Sequence, residues 1–278
     1  MRRMDQSIRL GSRLLRLNPP LLMAIINVTP DSFYASSRVQ DAGAIRSALQ
    51  QAVTEGADII DIGACSTRPA VQSSAEQLAD EQLEWERLAM ALQVIRHSGV
   101  QVPISIDTFR PSIAQRAIEE YGVDMINDVS GGSEPMLDVV AKYNVCYVLM
   151  YNRSHDLHKT DNILCDALGF FSRKVDELHR RGVSDVIVDP GFGFGQTVQD
   201  SLELLTNLRT LQHVGCPILA GMSRKRMAYE PHGLTPETCL EQTLRLERLA
   251  VEQGATVLRV HDVGVTRAMI RTMQTVNG

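Results

Sequence analysis

Three acidic or amide side chains stand where apolar runs of this sequence stop. Asp107 closes the run 102–107, Asp189 closes 185–189, and Asn127 sits within 124–129. A carboxylate at the end of an apolar segment packs poorly unless polar partners meet it, because a buried carboxylate needs hydrogen-bond donors. Taken singly, each fits a loop or helix cap as well as a site. Taken together, Asp and Asn supply acceptors and paired donors, which suits a flat heterocycle with amino, ring N–H and carbonyl edges. Later in the chain the tips become cationic. Ser223-Arg224-Lys225 follows the run 217–222, and Arg259 and His261 alternate with apolar neighbours in Leu258-Arg259-Val260-His261-Asp262, so they share one face. Arg gives a fork of donors and Lys a point charge, a pair suited to phosphate; surface cations lying over apolar edges are the alternative. Between the two groups lies Gly191-Phe192-Gly193-Phe194-Gly195. Its glycines permit close backbone approach, and a Phe between them either stacks on a planar ligand or packs on the rim. It is neither a Walker loop nor the dinucleotide fingerprint.

The elements that must position these residues follow a rhythm. Apolar runs at 21–28, 57–63, 102–107, 124–129, 146–150, 185–189, 217–222 and 256–261 alternate with helix-like stretches at 41–55, 74–98, 110–121, 133–143, 161–181, 200–213, 235–253 and 263–276. Strands alternating with helices pair in parallel. Eight such units predict an α/β fold, a single (β/α)8 TIM barrel spanning 21–278, whose functional face lies at the strand C-termini. Residues 1–20 are expected to form a short N-terminal extension that closes the barrel bottom. Long connections at 29–40 and 64–73 fall on the functional face, where lids and substrate contacts sit.

Composition narrows the function classes. The chain has 278 residues, 44% hydrophobic, with a net charge of −5. It carries no basic patch of the kind that binds nucleic acid. No apolar run approaches the ~20 residues of a membrane span, and the first twenty residues lack the apolar core of a secretory signal, so a cytoplasmic protein is expected. The five cysteines (Cys65, Cys146, Cys165, Cys216, Cys239) are scattered without a Cys-x-x-Cys pair and fit small core side chains. His155 and His158 have no Cys or Glu partners nearby and fit a solvated loop better than a metal pair.

Seven segments in order carry a resemblance. They are Asn27-Val28-Thr29-Pro30-Asp31-Ser32-Phe33, Ser66-Thr67-Arg68-Pro69, Ser105-Ile106-Asp107-Thr108, Ile126-Asn127-Asp128-Val129-Ser130, Asp189-Pro190-Gly191-Phe192-Gly193-Phe194-Gly195, Ser223-Arg224-Lys225 and Arg259-Val260-His261-Asp262. In this order the chain resembles the dihydropteroate synthase family over residues 22 to about 272. The resemblance implies a transferase of folate biosynthesis that joins 4-aminobenzoate to 6-hydroxymethyl-7,8-dihydropterin pyrophosphate. It implies that Asp107, Asn127, Asp189 and Lys225 bind the pterin ring, with Ile25, Met150, Phe194 and Gly221 lining its slot. It implies Mg²⁺ held with the help of Asn27, and pyrophosphate gripped by Arg68, Arg259 and His261. Phe33, Thr67 and Pro69 would form the aminobenzoate pocket. Homodimers are usual in the family through late helices, here 235–253 and 263–276.

The sequence departs from the family pattern at Tyr34-Ala35-Ser36-Ser37, Cys65, Ala70, Gln196 and Arg226, and most of all at Tyr151-Asn152-Arg153-Ser154-His155-Asp156. Arg226 stands where a Ser often receives the aminobenzoate carboxylate, and an Arg can pair with that group. Two other readings stay open at this level: a pterin-dependent methyltransferase, which has no use for a pyrophosphate grip, and a non-catalytic pterin-binding paralogue.

Overall fold

The computed structural model describes residues 6–28, 38–64 and 81–277. Eight parallel strands form the centre: β3 (Leu21–Asn27), β4 (Ile59–Gly63), β5 (Ile104–Asp107), β6 (Met125–Asp128), β7 (Cys146–Met150), β8 (Val186–Asp189), β9 (Leu219–Ala220) and β10 (Val257–Val260). They follow one another around the ring, β10 pairs back onto β3, and a parallel bridge between Val188 and Ile218 joins β8 to β9. Ahead of them a hairpin pairs β1 (Ser7–Leu10) with β2 (Arg13–Arg16).

The helices are α1 (Arg38–Thr54), α2 (Glu81–Ser98), α3 (Pro111–Tyr121), α4 (Glu134–Tyr143), α5 (Ile163–Arg180), α6 (Val198–Thr206), the short α7 (Arg226–Tyr229), α8 (Leu240–Glu252) and α9 (Val263–Asn277). Local chemistry sets several ends. Pro111 opens α3, where its missing N–H costs nothing, and Gly122 closes it in the left-handed region at φ 66°. Thr197 and Asp200 cap α6 reciprocally, so the helix starts at Val198 rather than at the expected 200. The expected strand 217–222 shrinks to two residues. Pro217 has no N–H for a ladder, although its carbonyl accepts from the Val188 N–H at 2.9 Å.

Alternation along each strand divides the core in two. One set of side chains, including Leu22, Ile60, Ile106, Ile126, Val188 and Leu258, faces the helices and forms the larger apolar cluster. The other faces the barrel interior. There Met23, Ile59, Met125, Val148, Ile187, Leu219 and Val257 pack as a plug, joined by Ile8, Leu10 and Leu17 of the N-terminal hairpin segment. The hairpin therefore packs against the end of the barrel away from the strand tips. Cys146, Cys216 and Cys239 are buried and Cys165 is exposed. No helix among the described residues is long and apolar enough to cross a membrane.

Candidate functional site

Above the plug, one step further along each strand, the interior changes character. Two residues beyond the plug level stand Ile25, Asp61, Asp107, Asn127, Met150, Asp189, Gly221 and Arg259, one from each of the eight strands or its immediate end. Seven of these eight were expected from the sequence as site residues. The eighth, Asp61, was expected at the mouth as one of the polar residues of the apolar runs, but with no role assigned to it. Its signal was present, a carboxylate inside Ile59-Ile60-Asp61-Ile62, but it matched none of the quoted motifs. Asn27, two residues beyond Ile25, pairs in register with Gly63, Gly63 with Asp107, and Asp107 with Asn127. A methyl group on Gly63 would come 3.2 Å from Asn27 Oδ1 and 3.6 Å from Asp107 Cβ, so the missing side chain leaves room between them.

One cation ties this layer together. Arg259 donates from Nε to Asp61 Oδ2 at 2.7 Å and from Nη2 to Asp107 Oδ2 at 2.7 Å. Asn127 Nδ2 donates to the same Asp61 Oδ2 at 3.0 Å. Asp61 is fully buried and Asn127 is 2% exposed. Burial pushes the Asp107 carboxyl up to about 7; Arg259 opposes that rise, while Asp61 adds to it. Burial also raises Asp189, against the pull of Lys225 and the Gly191 N–H, which donates at 2.8 Å. Burial opposes the charge on Arg259, but Asp61 and Asp107 hold it protonated more firmly than usual.

Loops supply the remaining groups. Lys225 enters from the loop after β9, donates from Nζ to the Phe192 carbonyl at 2.8 Å, and lies 4.9 Å from the centre of the Phe194 ring. Its removal from water lowers its pKa to about 8, partly offset by Asp189. Phe192 is buried in the core and Phe194 is half-buried at the mouth. His261 is exposed at the rim, and its Nδ1 lies 3.0 Å from Ser223 Oγ. Arg224 takes φ 57° and turns away to Asp262, at 2.8 and 3.1 Å. Arg226 is exposed and paired with Glu230 one helical turn on. Arg259, expected at the pyrophosphate, sits deeper, on the two carboxylates. Phe33, Thr67, Arg68 and Pro69 lie outside the described residues, as do Tyr34–Ser37, Cys65 and Ala70.

The loop after β7, where the sequence is most unusual, is a built structure. Arg153 contacts Asp200 at 2.9 Å and Asp166 at 3.7 Å, and donates to the Thr160 carbonyl at 2.8 Å. Its backbone N–H donates to the Phe194 carbonyl at 3.2 Å. A side chain at Gly191 would collide with the Tyr151 carbonyl, and one at Gly195 with the Ser154 amide. The two loops therefore touch backbone to backbone, which is why glycines stand at 191 and 195.

Residues 23–261 match the family model described as pterin binding enzyme. A dihydropteroate synthase of Clostridium beijerinckii is 35% identical over 87% of this chain and 88% of its own length. The dihydropteroate synthase of Xanthomonas albilineans, solved with 4-aminobenzoic acid, superposes with a TM-score of 0.87 at 34% identity, covering 98% of this chain and 99% of that one. The chain belongs to the dihydropteroate synthases. As a member it is a transferase on a TIM barrel. A third synthase, from Thermus thermophilus and solved in complex with 6HMPPP, has a TM-score of 0.82 at 30% identity, with 98% and 100% of the two chains covered.

For a divalent metal, the described residues contain no group of three or more His, Cys, Asp or Glu able to hold one. Mg²⁺ keeps several waters and is held by one or two protein oxygens together with substrate phosphates. The Asn27 amide oxygen, beside Gly63 and Asp107 at the strand tips, is a hard donor of that kind.

Proposed function

We propose that this chain condenses 6-hydroxymethyl-7,8-dihydropterin pyrophosphate with 4-aminobenzoate, forming 7,8-dihydropteroate and releasing pyrophosphate. The observation that carries the reading is the layer of Asp61, Asp107, Asn127, Asp189 and Arg259, with Lys225 above it, at the tips of parallel strands. In this reading Asp107, Asn127 and Asp189 meet the amino and ring N–H edge of the pterin, and Lys225 its carbonyl side. Ile25, Met150, Gly221 and Phe194 line the slot. Arg68 and His261 act on the pyrophosphate, joined by Arg259 through the nitrogen, Nη1, that its bonds to Asp61 and Asp107 do not use, and Phe33, Thr67, Pro69 and Arg226 act on 4-aminobenzoate. Mg²⁺ beside Asn27, when bound, would help neutralise the leaving anion.

The bond between the exocyclic methylene and the pyrophosphate oxygen breaks with its electron pair going to pyrophosphate. The arylamine nitrogen forms the new bond to that carbon and loses one proton. The amine is already nucleophilic, so no covalent enzyme intermediate is required. Asp107 and Asp189 stabilise positive charge developing on the pterin, and cations at the mouth stabilise the departing anion. A methyltransferase would have no use for those cations. The reading also carries residues 1–20 as an extension of one barrel domain at 21–278, a cytoplasmic location, and a homodimer through 235–253 and 263–276, which sedimentation would test.

The deciding assay follows pyrophosphate and dihydropteroate together, with Mg²⁺ and both substrates present. Equal yields that vanish when 4-aminobenzoate is omitted support the proposal. Pterin binding without turnover would point to the non-catalytic paralogue.

A further inference from the structure

We infer that Asp61 is a positioning residue of this site, holding Arg259 and fixing the orientation of the Asn127 amide through a single carboxylate oxygen. This deepens the proposed function and rests on it for the nature of the ligand.

Three observations carry it. Asp61 is the one charged member of the eight-membered layer without a role in the proposed reaction, and it stands between Ile25 on β3 and Ser105 on β5 in register. It is fully buried, yet it is the acceptor shared by Arg259 Nε at 2.7 Å and Asn127 Nδ2 at 3.0 Å. And its Oδ1, like the buried Ser105 Oγ opposite it in register, has no hydrogen-bond partner among the described residues. An orphaned carboxylate oxygen in a barrel interior costs stability. An apolar residue of similar volume would pack without that cost, so packing does not account for an acid here.

The consequence for Asn127 is chemical. The two ends of an amide are assigned by their partners, and an ionised carboxylate only accepts. Asp61 therefore forces Asn127 to turn its NH₂ inward, leaving the carbonyl oxygen as the end able to accept from a ligand's amino or ring N–H groups. The consequence for Arg259 is steric. Asp61 on β4 and Asp107 on β5 take different nitrogens of one guanidinium, which pins its plane across two strands. With Asp61 neutral, Arg259 would keep a charged partner only at Asp107. The Asp61 charge also raises the proton affinity of Asp107, so its loss lowers that affinity.

The test is Asp61→Asn, nearly isosteric, with calorimetric binding of 6-hydroxymethyl-7,8-dihydropterin pyrophosphate as the first readout. Affinity is expected to fall about 10- to 100-fold, the loss of one or two charge-assisted contacts, while the KM for 4-aminobenzoate stays within about two-fold. The acid limb of the kcat/KM profile should move to lower pH, which a purely structural role would not cause. Unchanged affinity together with an unchanged acid limb overturns the assignment. Should D61N fail to fold, the double variant D61N/R259Q removes both buried charges together. Compared with R259Q alone, it removes the Asp61 charge from both the Asn127 amide and the neighbourhood of Asp107, so its affinity for the pterin should be about 10-fold weaker; equal affinities overturn the proposal. The unsubstituted chain is the control. If it lacks turnover, the functional reading fails, and the binding comparison still decides Asp61.

Discussion

Asp107 is the residue on which the pterin reading leans hardest. It reaches the top of β5 as a carboxylate whose burial raises its pKa to about 7, with Arg259 bonded to one oxygen. Asp107→Ala removes an acceptor for the ligand and a partner of Arg259 at once. Pterin affinity should drop about 100-fold or more by calorimetry, since a buried charged hydrogen bond and the desolvation of its partner are both lost. A variant that binds pterin as before would refute the assignment. The pH dependence follows from two neighbours. If catalysis uses ionised Asp107 and protonated Lys225, kcat/KM rises with pH through about 7 and falls through about 8. A narrow bell is therefore expected. Arg259→Gln removes the cation that favours the Asp107 carboxylate, so its acid limb should move to higher pH, opposite to the shift expected of Asp61→Asn. Coincident limbs in the two variants would show that Asp107 does not set the acid side.

The loop after β7 illustrates how elements cooperate. Arg153 connects that loop to α5 through Asp166, to α6 through Asp200, and by its backbone to the Phe194 carbonyl. Phe194 in turn lies beneath Lys225. Arg153→Ala removes the cation paired with Asp166, whose buried Oδ2 already lacks a hydrogen bond among the described residues. The cost should be on the order of 3 kcal/mol in stability. In the same variant, kcat/KM should fall about 10-fold through misplacement of Phe194 and Lys225. Urea unfolding and steady-state kinetics measure the two effects. Wild-type values for both would mean that the loops after β7 and β8 are independent.

For the whole molecule, the packing of α8 on α9 holds an acid out of water. Glu247 is 1% exposed, bonded to Thr266 Oγ1 at 2.8 Å, and raised by burial from 4.5 to about 8. Its folded pKa exceeds the unfolded one, so the folded chain keeps a proton that the unfolded chain gives up between pH 4.5 and 8. Stability from this group is full below about 4.5 and is lost as pH rises through 8. Glu247→Gln should leave stability nearly unchanged at pH 4.5 and raise it at pH 8 by on the order of 2–4 kcal/mol. Thermal melts at the two pH values check this. An equal change at both would assign the effect to packing instead.

Most of the barrel was legible in the chain itself, because period-2 and period-3.6 patterns report which faces are buried. The strand Cys146–Met150 has the expected bounds, and the other strands differ by a residue or two at an end, except β9. Polar tips on apolar runs were equally legible, since burying Asp107, Asn127 and Asp189 makes sense only where partners meet them. Other matters depended on distances between strands far apart in sequence. Asp61 lies 198 positions from Arg259, and nothing local to Ile59-Ile60-Asp61-Ile62 says that a cation arrives there. Arg224, Lys225 and Arg226 look alike in sequence, yet a left-handed turn at Arg224 sends them to Asp262, the barrel mouth and Glu230 respectively. The amino-acid order thus determined the barrel, the level of its polar layer and the family. Closure of the ring decided which charges meet, because electrostatic partners are set by through-space distance and burial rather than by position along the chain.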